Sequence, residues 1–187
     1  MEEKALEKIR SLLERVLKEL TSSKIVDSKL RSKYAEYAVA HVLAKKGHQV
    51  QLSNERNNKN ADIYIADKQK RVEVKSGKYD DEWTDASFGY GNQISDDKFD
   101  YCVFVTFDKD DDSEIKEMFV FTRNELKDVA KPRKKIADFP KTNPCLLLRC
   151  QNFKDYEEAM KTEQKLKIEI DLNRHPEKYN RAWNKIK

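Results

Sequence analysis

The sequence is poor in the features that fix covalent frameworks or anchor a chain in a membrane. Only three cysteines occur among its 187 residues, Cys102, Cys145 and Cys150, and an odd number argues against a disulfide framework. No apolar run approaches the roughly 18 residues of a transmembrane helix, so we expect no membrane partner. Residues 1–8 are charged and lack the apolar stretch of a secretory signal. We therefore expect a soluble protein of a reducing compartment, the cytoplasm.

The charge of the chain is high in total but nearly balanced in sign. Its 38 basic and 34 acidic residues give a net charge of +4, which is too small to identify a nucleic-acid partner by itself. Basic residues are concentrated at 131–135, and acidic residues at 80–82 and 108–112. The apolar fraction of 38% in a chain of this length is enough for a core that needs no disulfides.

The first twenty residues predict an amphipathic helix. Apolar residues recur at alternating spacings of three and four, at Leu6, Ile9, Leu13, Val16 and Leu20. This seam can dock on the rest of the protein or pair with a second copy in a homodimer, and the sequence leaves both open. We divide the chain into an N-terminal helix, 1–24, and a domain, 25–187.

The remaining segments predict a mixed sheet flanked by helices. A second helix should run from Asp27 or Ser28 to Lys46, where lysines and Gly47 form a stop signal. Residues 76–92 are polar and predict irregular structure. Strands are predicted at 50–52, 61–66, 71–75, 101–107, 117–121 and 146–149, and further helices at 122–129, capped by Thr122 with Glu125, and at 153–172. This order predicts an α/β or α+β domain.

The predicted hairpin of residues 61–75 brings polar side chains to one surface. Side chains alternate along a strand, so Glu73 and Lys75 share one face, while Val74 points to the other. On the preceding strand the isoleucines are the core residues, which leaves Asp62 on the polar side. Two converging carboxylates repel each other unless a cation lies between them, and Mg²⁺ is a hard ion that prefers carboxylate oxygen.

This group of residues suits phosphodiester hydrolysis. A metal ion polarises phosphoryl oxygens and lowers the pKa of a bound water. A lysine beside it can position that water and stabilise the developing negative charge. The backbone carbonyl of Val74, between Glu73 and Lys75, is a further candidate metal ligand.

The same residues give a resemblance to the PD-(D/E)XK nuclease superfamily. The motif of that superfamily is Asp, a variable gap, and Glu-x-Lys on a hairpin, here Asp62, Glu73 and Lys75, followed by Ser-Gly-Lys at 76–78. Many members add a glutamate from the preceding helix, and Glu36 occupies that place. Ala61 stands where the motif has proline. The resemblance covers about residues 28–107.

The resemblance implies a restriction-endonuclease-like fold and cleavage of DNA with Mg²⁺ or Mn²⁺. Asp62, Glu73, Glu36 and the Val74 carbonyl would hold the metal, and Lys75 would serve the attacking water. The implied activity is that of a restriction-type or repair endonuclease. A Holliday junction resolvase and a non-catalytic DNA-binding module that keeps the fold are the alternatives, as is a protein-interaction domain acting through the N-terminal helix.

Candidate DNA contacts surround this group. Phosphate contacts are the main expectation, with base readout open to Asn or Arg. Aromatic residues at 83, 88 and 90 either pack under their loop or stack on bases. The alternative for the charged residues is a solvated surface. The candidates are Arg56, Asn57, Asn58, Lys59, Ser76, Lys78, Gln93, Arg133, Lys134 and Lys135.

Overall fold

The computed structural model describes most of the N-terminal two thirds of the chain and three later segments. The described residues are 1–25, 27–53, 61–79, 87–89, 98–130, 145–149, 167–171 and 181–186. The helices are α1 (Glu3–Ser22), α2 (Ser28–Lys45) and α3 (Arg123–Ala130), with a 3₁₀ helix at Trp183–Lys185. The strands are β1 (Val50–Leu52), β2 (Ile63–Ile65), β3 (Lys70–Tyr79), β4 (Ser87–Gly89), β5 (Tyr101–Asp108), β6 (Ile115–Thr122), β7 (Cys145–Arg149) and β8 (Lys167–Asp171).

The strands form two sheets. The larger has the order β1-β2-β3-β5-β6, in which β3 and β5 are parallel and all other neighbours are antiparallel. The smaller has the order β4-β7-β8, antiparallel and then parallel. The predicted class, a mixed sheet with flanking helices, is confirmed. None of the described helices is long and apolar enough to span a membrane.

Helix α2 begins and ends where the sequence predicts. The Asp27 side chain accepts hydrogen bonds from the backbone N–H groups of Lys29 and Leu30, both at 3.0 Å, which satisfies two unpaired donors of the first turn. Gly47 has a φ of +91°, a conformation that glycine adopts without steric cost. The cap and the glycine thus fix the length of the helix that carries Glu36.

Helix α3 begins with the predicted capping box. The Glu125 N–H donates to Thr122 Oγ1 at 3.2 Å, and the Thr122 N–H donates to Glu125 Oε2 at 2.8 Å. Lys185 Nζ donates to both Glu125 oxygens, at 3.0 and 3.1 Å, and to the Val120 carbonyl at 3.0 Å. These bonds attach the segment 181–186 to β6 and α3, and Trp183 buries its ring in the core.

Helix α1 docks on α2 with the predicted seam, except at Val16. Leu6 and Leu17 are buried in the core, whereas Val16 is 47% exposed and Leu12 is exposed beside it. The predicted seam included Val16 because this residue continues the alternating spacings of three and four residues. The next residue, Leu17, is buried in its place. The predicted homodimer stays a prediction.

The larger sheet is covered on both faces. Val103, Val105 and Phe107 of β5 pack in the cluster that includes α1 and α2, where the Tyr34 and Phe107 rings lie 5.8 Å apart. The alternate residue Phe104 stacks on Phe119 of β6, with ring centroids 6.4 Å apart. Every residue from Tyr101 to Phe107 is buried, which confirms the predicted central strand.

Two predictions of secondary structure are wrong. Strand β3 continues to Tyr79, and β4 lies at 87–89, where irregular structure was predicted for 76–92. The cause in β3 is its long parallel pairing with β5, from Val72↔Tyr101 to Tyr79↔Asp108, which overrides the polar local sequence. Residues 167–171 form β8 rather than the end of a helix, and their alternation of isoleucine with charged residues is a strand period.

Candidate active site

Pairing of β2 with β3 places Asp62 beside the Glu-x-Lys segment. Ile63 lies opposite Val72, and one step further along this antiparallel register Asp62 comes opposite Glu73. The Val74 N–H donates to Asp62 Oδ2 at 2.7 Å, and the Asp62 carbonyl accepts from the Ser53 N–H at 2.8 Å. Both the backbone and the carboxylate of Asp62 are therefore held across the sheet.

Glu73 and Lys75 share one face of β3, as strand alternation predicts. Lys75 Nζ donates to Glu73 Oε1 at 2.6 Å, and both side chains are mostly buried. Glu73 pairs in register with Cys102 of β5, whose free thiol is fully buried. This charged pair therefore lies over the middle of the sheet rather than at a solvated edge.

Helix α2 supplies the fourth predicted residue. Glu36 is only 8% exposed, and its Oε2 accepts a hydrogen bond from Lys33 Nζ at 2.8 Å. A buried carboxylate on an otherwise apolar helix face is costly unless it is paired or has a function. Here it is paired with a lysine one turn earlier and faces the carboxylates of the hairpin.

The three carboxylates influence one another electrostatically. Burial raises the pKa of Glu36, of Asp62 and of Glu73, and the charge of Asp62 further raises the pKa of both glutamates. The charges of Lys75 and Lys33 lower the pKa of Asp62 and so offset part of the effect of burial. Helix α2 and the hairpin thus contribute to one interacting group, which consists of Glu36, Asp62, Glu73 and Lys75.

Lys75 is held in its charged form. Burial alone would lower the pKa of its ammonium, but the charge of Glu73 and the hydrogen bond to it outweigh burial and raise the pKa above its ordinary value. Lys75 therefore carries a positive charge at neutral pH. It can donate hydrogen bonds and stabilise negative charge, but it is a poor proton acceptor.

The donor set fits a hard divalent cation. Among the described residues, no group of three His, Cys, Asp or Glu side chains is already arranged around a common point as metal ligands are. In this structure Asp62 accepts a hydrogen bond from a backbone N–H, and the two glutamates accept from ammonium groups. Buried carboxylates that repel each other are nevertheless the ligands that Mg²⁺ or Mn²⁺ would stabilise.

Most predicted DNA contacts fall outside the described residues. Ser76 is described, and its hydroxyl lies 3.1 Å from that of Ser32 on α2. The backbone of Lys78 pairs with Phe107 in the sheet. Outside the described residues lie Arg56, Asn57, Asn58, Lys59, Gln93, Arg133, Lys134 and Lys135, together with Trp83, Tyr90, Cys150 and the predicted loops around them.

Two lysines that the sequence did not single out belong to this group. Lys33 could have been found, because it lies three residues before Glu36 and so on the same helix face. The charge of Lys98 lowers the pKa of Glu73. No local sequence pattern identifies Lys98. This residue lies just before β5, and only the pairing of β3 with β5 brings it near the hairpin.

Comparisons with known proteins add a distant structural similarity. A scan against protein-family models and a search of curated proteins found no match. Among solved structures, a bacterial homing endonuclease is similar to this chain with 16% sequence identity and a TM-score of 0.37, over 63% of this chain and 85% of that one. The similarity is distant. The chemistry of the candidate site is set by the side chains of this protein.

Proposed function

We propose that this protein is a metal-dependent endonuclease of the PD-(D/E)XK type that hydrolyses phosphodiester bonds of DNA. The observation that carries the proposal is the grouping of three mutually repelling carboxylates, the buried Glu36 and the half-buried Asp62 and Glu73, beside the charged Lys75. A purely structural group would gain more from apolar side chains or from one-to-one ion pairs. Carboxylates that remain together in a buried place suggest a site for a cation.

Each residue then has a distinct role. Asp62 and Glu73 would hold Mg²⁺ or Mn²⁺, with the Val74 carbonyl and Glu36 completing the oxygen ligands. When bound, such an ion polarises the phosphoryl oxygens and lowers the pKa of a water. The backbone bonds to Ser53 and Val74 keep Asp62 in position and limit the reorganisation that binding requires.

Lys75 would act through its charge. Its ammonium, which donates to Glu73 Oε1 at 2.6 Å, would donate hydrogen bonds to the attacking water or to a phosphoryl oxygen and stabilise the negative charge of the transition state. The reaction therefore depends on the ammonium of Lys75, and a neutral side chain of the same length should be inactive.

The substrate class is proposed from the polar and basic residues of the sequence. DNA is the proposed partner, with phosphate contacts from the polar residues at 56–59 and 133–135 and from Ser76. A restriction-type or repair endonuclease acting in the cytoplasm is the favoured form. Junction resolution differs from it only in the substrate, so the two are separated by the DNA that is cut.

Cleavage assays test the proposal. Supercoiled plasmid, linear duplex and a four-way junction are incubated with Mg²⁺ or Mn²⁺, with EDTA as the blank. We expect metal-dependent cutting by the wild type and a loss of at least about 100-fold in Asp62→Asn and Lys75→Met. The matched controls are Asp110→Asn and Lys68→Met, which make the same changes at exposed turn residues and should cut normally.

The outcomes are distinct. Cutting that disappears only in the two site variants supports the nuclease, and the preferred DNA assigns the type. DNA binding without cutting, equal in all five proteins, would contradict the proposal and leave a binding module.

A further inference from the structure

Lys33 occupies an unusual place at the rim of the carboxylate group. Its side chain is 51% exposed, yet its ammonium contacts Glu36 Oε2, a carboxylate whose side chain is only 11% exposed, at 2.8 Å. Its charge also acts on Asp62, on a different element. One long and flexible side chain thus connects the buried acidic group with the solvent.

A polar strip leads outward from the same point. Ser32, the neighbour of Lys33, and Ser76, the neighbour of Lys75, place their hydroxyl groups 3.1 Å apart across the gap between α2 and β3. Ser32 is exposed and Ser76 is half-buried. Hydroxyl and ammonium groups together are the usual protein contacts of a DNA phosphate.

We propose that Lys33 is an exchangeable cation of this site, which pairs with Glu36 until a divalent ion takes that carboxylate and then binds a DNA phosphate at the Ser32–Ser76 rim. The inference rests on the proposed function and names a residue beyond the four of the motif.

The reasoning is electrostatic. An ammonium and a divalent ion compete for the same carboxylate, because the group around Glu36 is stabilised by either positive charge. A divalent ion on Glu36 displaces the Lys33 ammonium from that carboxylate and repels it. Its stem has several rotatable bonds and half of the side chain already faces solvent, so the ammonium can turn outward without disturbing the helix. An incoming phosphate is the partner that replaces the carboxylate.

The first test measures metal binding without DNA. Mn²⁺ is titrated calorimetrically into the wild type, Lys33→Met, Lys33→Arg and the control Lys45→Met. Lys45 is exposed on the same helix, about 18 Å further along its axis at 1.5 Å per residue. We expect Lys33→Met to bind Mn²⁺ about 3–10-fold more tightly than the wild type, since a competing cation is removed. Lys33→Arg and Lys45→Met should bind as the wild type does.

The second test measures the salt dependence of DNA binding. It uses a Lys75→Met background with Mn²⁺, in which cutting is expected to be blocked while the carboxylates remain. Adding Lys33→Met should weaken binding of a duplex and reduce the slope of log K against log salt by about 0.9, the loss of one phosphate contact. Lys33→Arg should keep the slope, and so should Lys45→Met.

The results separate this inference from the proposed function. If the wild type binds no Mn²⁺, and Asp62→Asn changes nothing, the proposed function fails. If Mn²⁺ binds through Asp62 but Lys33→Met leaves the Mn²⁺ affinity or the salt slope unchanged, the exchange is overturned while the nuclease proposal stands. Tighter Mn²⁺ binding together with the lower slope supports the exchange.

Discussion

Replacing Asp62 by asparagine removes one carboxylate of the group that it forms with Glu73 and Glu36, while keeping the shape of the residue. The amide oxygen can still accept the Val74 N–H that Oδ2 accepts at 2.7 Å. The substitution removes the negative charge of Asp62. In the wild type, burial is the main cause that raises the pKa of this carboxyl. A carboxyl whose pKa is higher in the folded than in the unfolded state destabilises the fold at neutral pH, where it must stay ionised.

The expected gain in stability is modest. Repulsion of Asp62 by Glu36 and Glu73 disappears, but so does its attraction to Lys75 and Lys33, so these charge terms largely offset each other. The desolvation of one carboxylate remains, and relief of such active-site strain commonly stabilises by about 0.5–2 kcal/mol. For a chain of 187 residues, about 1 kcal/mol shifts the melting temperature by about 2–4 °C.

Thermal denaturation in EDTA and in Mg²⁺ measures this effect. In EDTA at pH 7, Asp62→Asn should melt above the wild type, and the difference should shrink as the pH falls through the raised pKa, where the wild-type carboxyl becomes protonated. With Mg²⁺ at 100 times its Kd, the wild type gains about 2.7 kcal/mol that the variant does not, so the order reverses. A variant that melts below the wild type in EDTA, with an unchanged circular dichroism spectrum, would refute the reasoning.

Three further predictions concern the fold. Lys185→Met should cost about 1 kcal/mol at pH 7 after allowance for partial exposure, because it breaks the bonds to Glu125 that help to lower the pKa of that carboxyl. This stabilisation is present above the unfolded pKa and is lost as the pH falls through the folded one, so urea titrations should show the two proteins converging below about pH 4. Leu43→Ala removes a fully buried side chain of α2 and should cost about 2–5 kcal/mol, measured by the same titrations; a cost under about 1 kcal/mol would contradict the described core. Val16→Glu lies on the exposed face of α1 and should change stability by less than about 0.5 kcal/mol, while sedimentation of this variant and the wild type tests the predicted homodimer.

The elements that follow local rules were predictable from the sequence. Helix α2 has a side-chain cap at Asp27 and a glycine stop, and α3 has a capping box at Thr122 and Glu125, so both begin within a residue of the predicted position. The hairpin that carries the candidate site was predictable because β2 and β3 alternate cleanly. The period of two placed Glu73 and Lys75 on one face without knowledge of the sheet.

What depends on distant partners was not predictable. Strand β3 extends past its polar residues 76–79 because β5 pairs with it throughout that length, and nothing local signals this partner. The burial of Leu17 rather than Val16 depends on how α1 sits on α2. The contribution of Lys98 to the site has the same origin, because β3–β5 pairing sets its distance from Glu73.

The most direct test of the central claim is the cleavage of duplex DNA by the wild type and Glu73→Gln as Mg²⁺ is titrated. The glutamine keeps the size of Glu73 and can still accept from Lys75, but it lacks the charge that would hold the ion. Cutting by the wild type that saturates with Mg²⁺ and stops in EDTA, with Glu73→Gln folded, able to bind DNA and at least about 100-fold slower, is the result that the account predicts. Equal rates for the two proteins, or no cutting by either at any Mg²⁺ concentration, would contradict it.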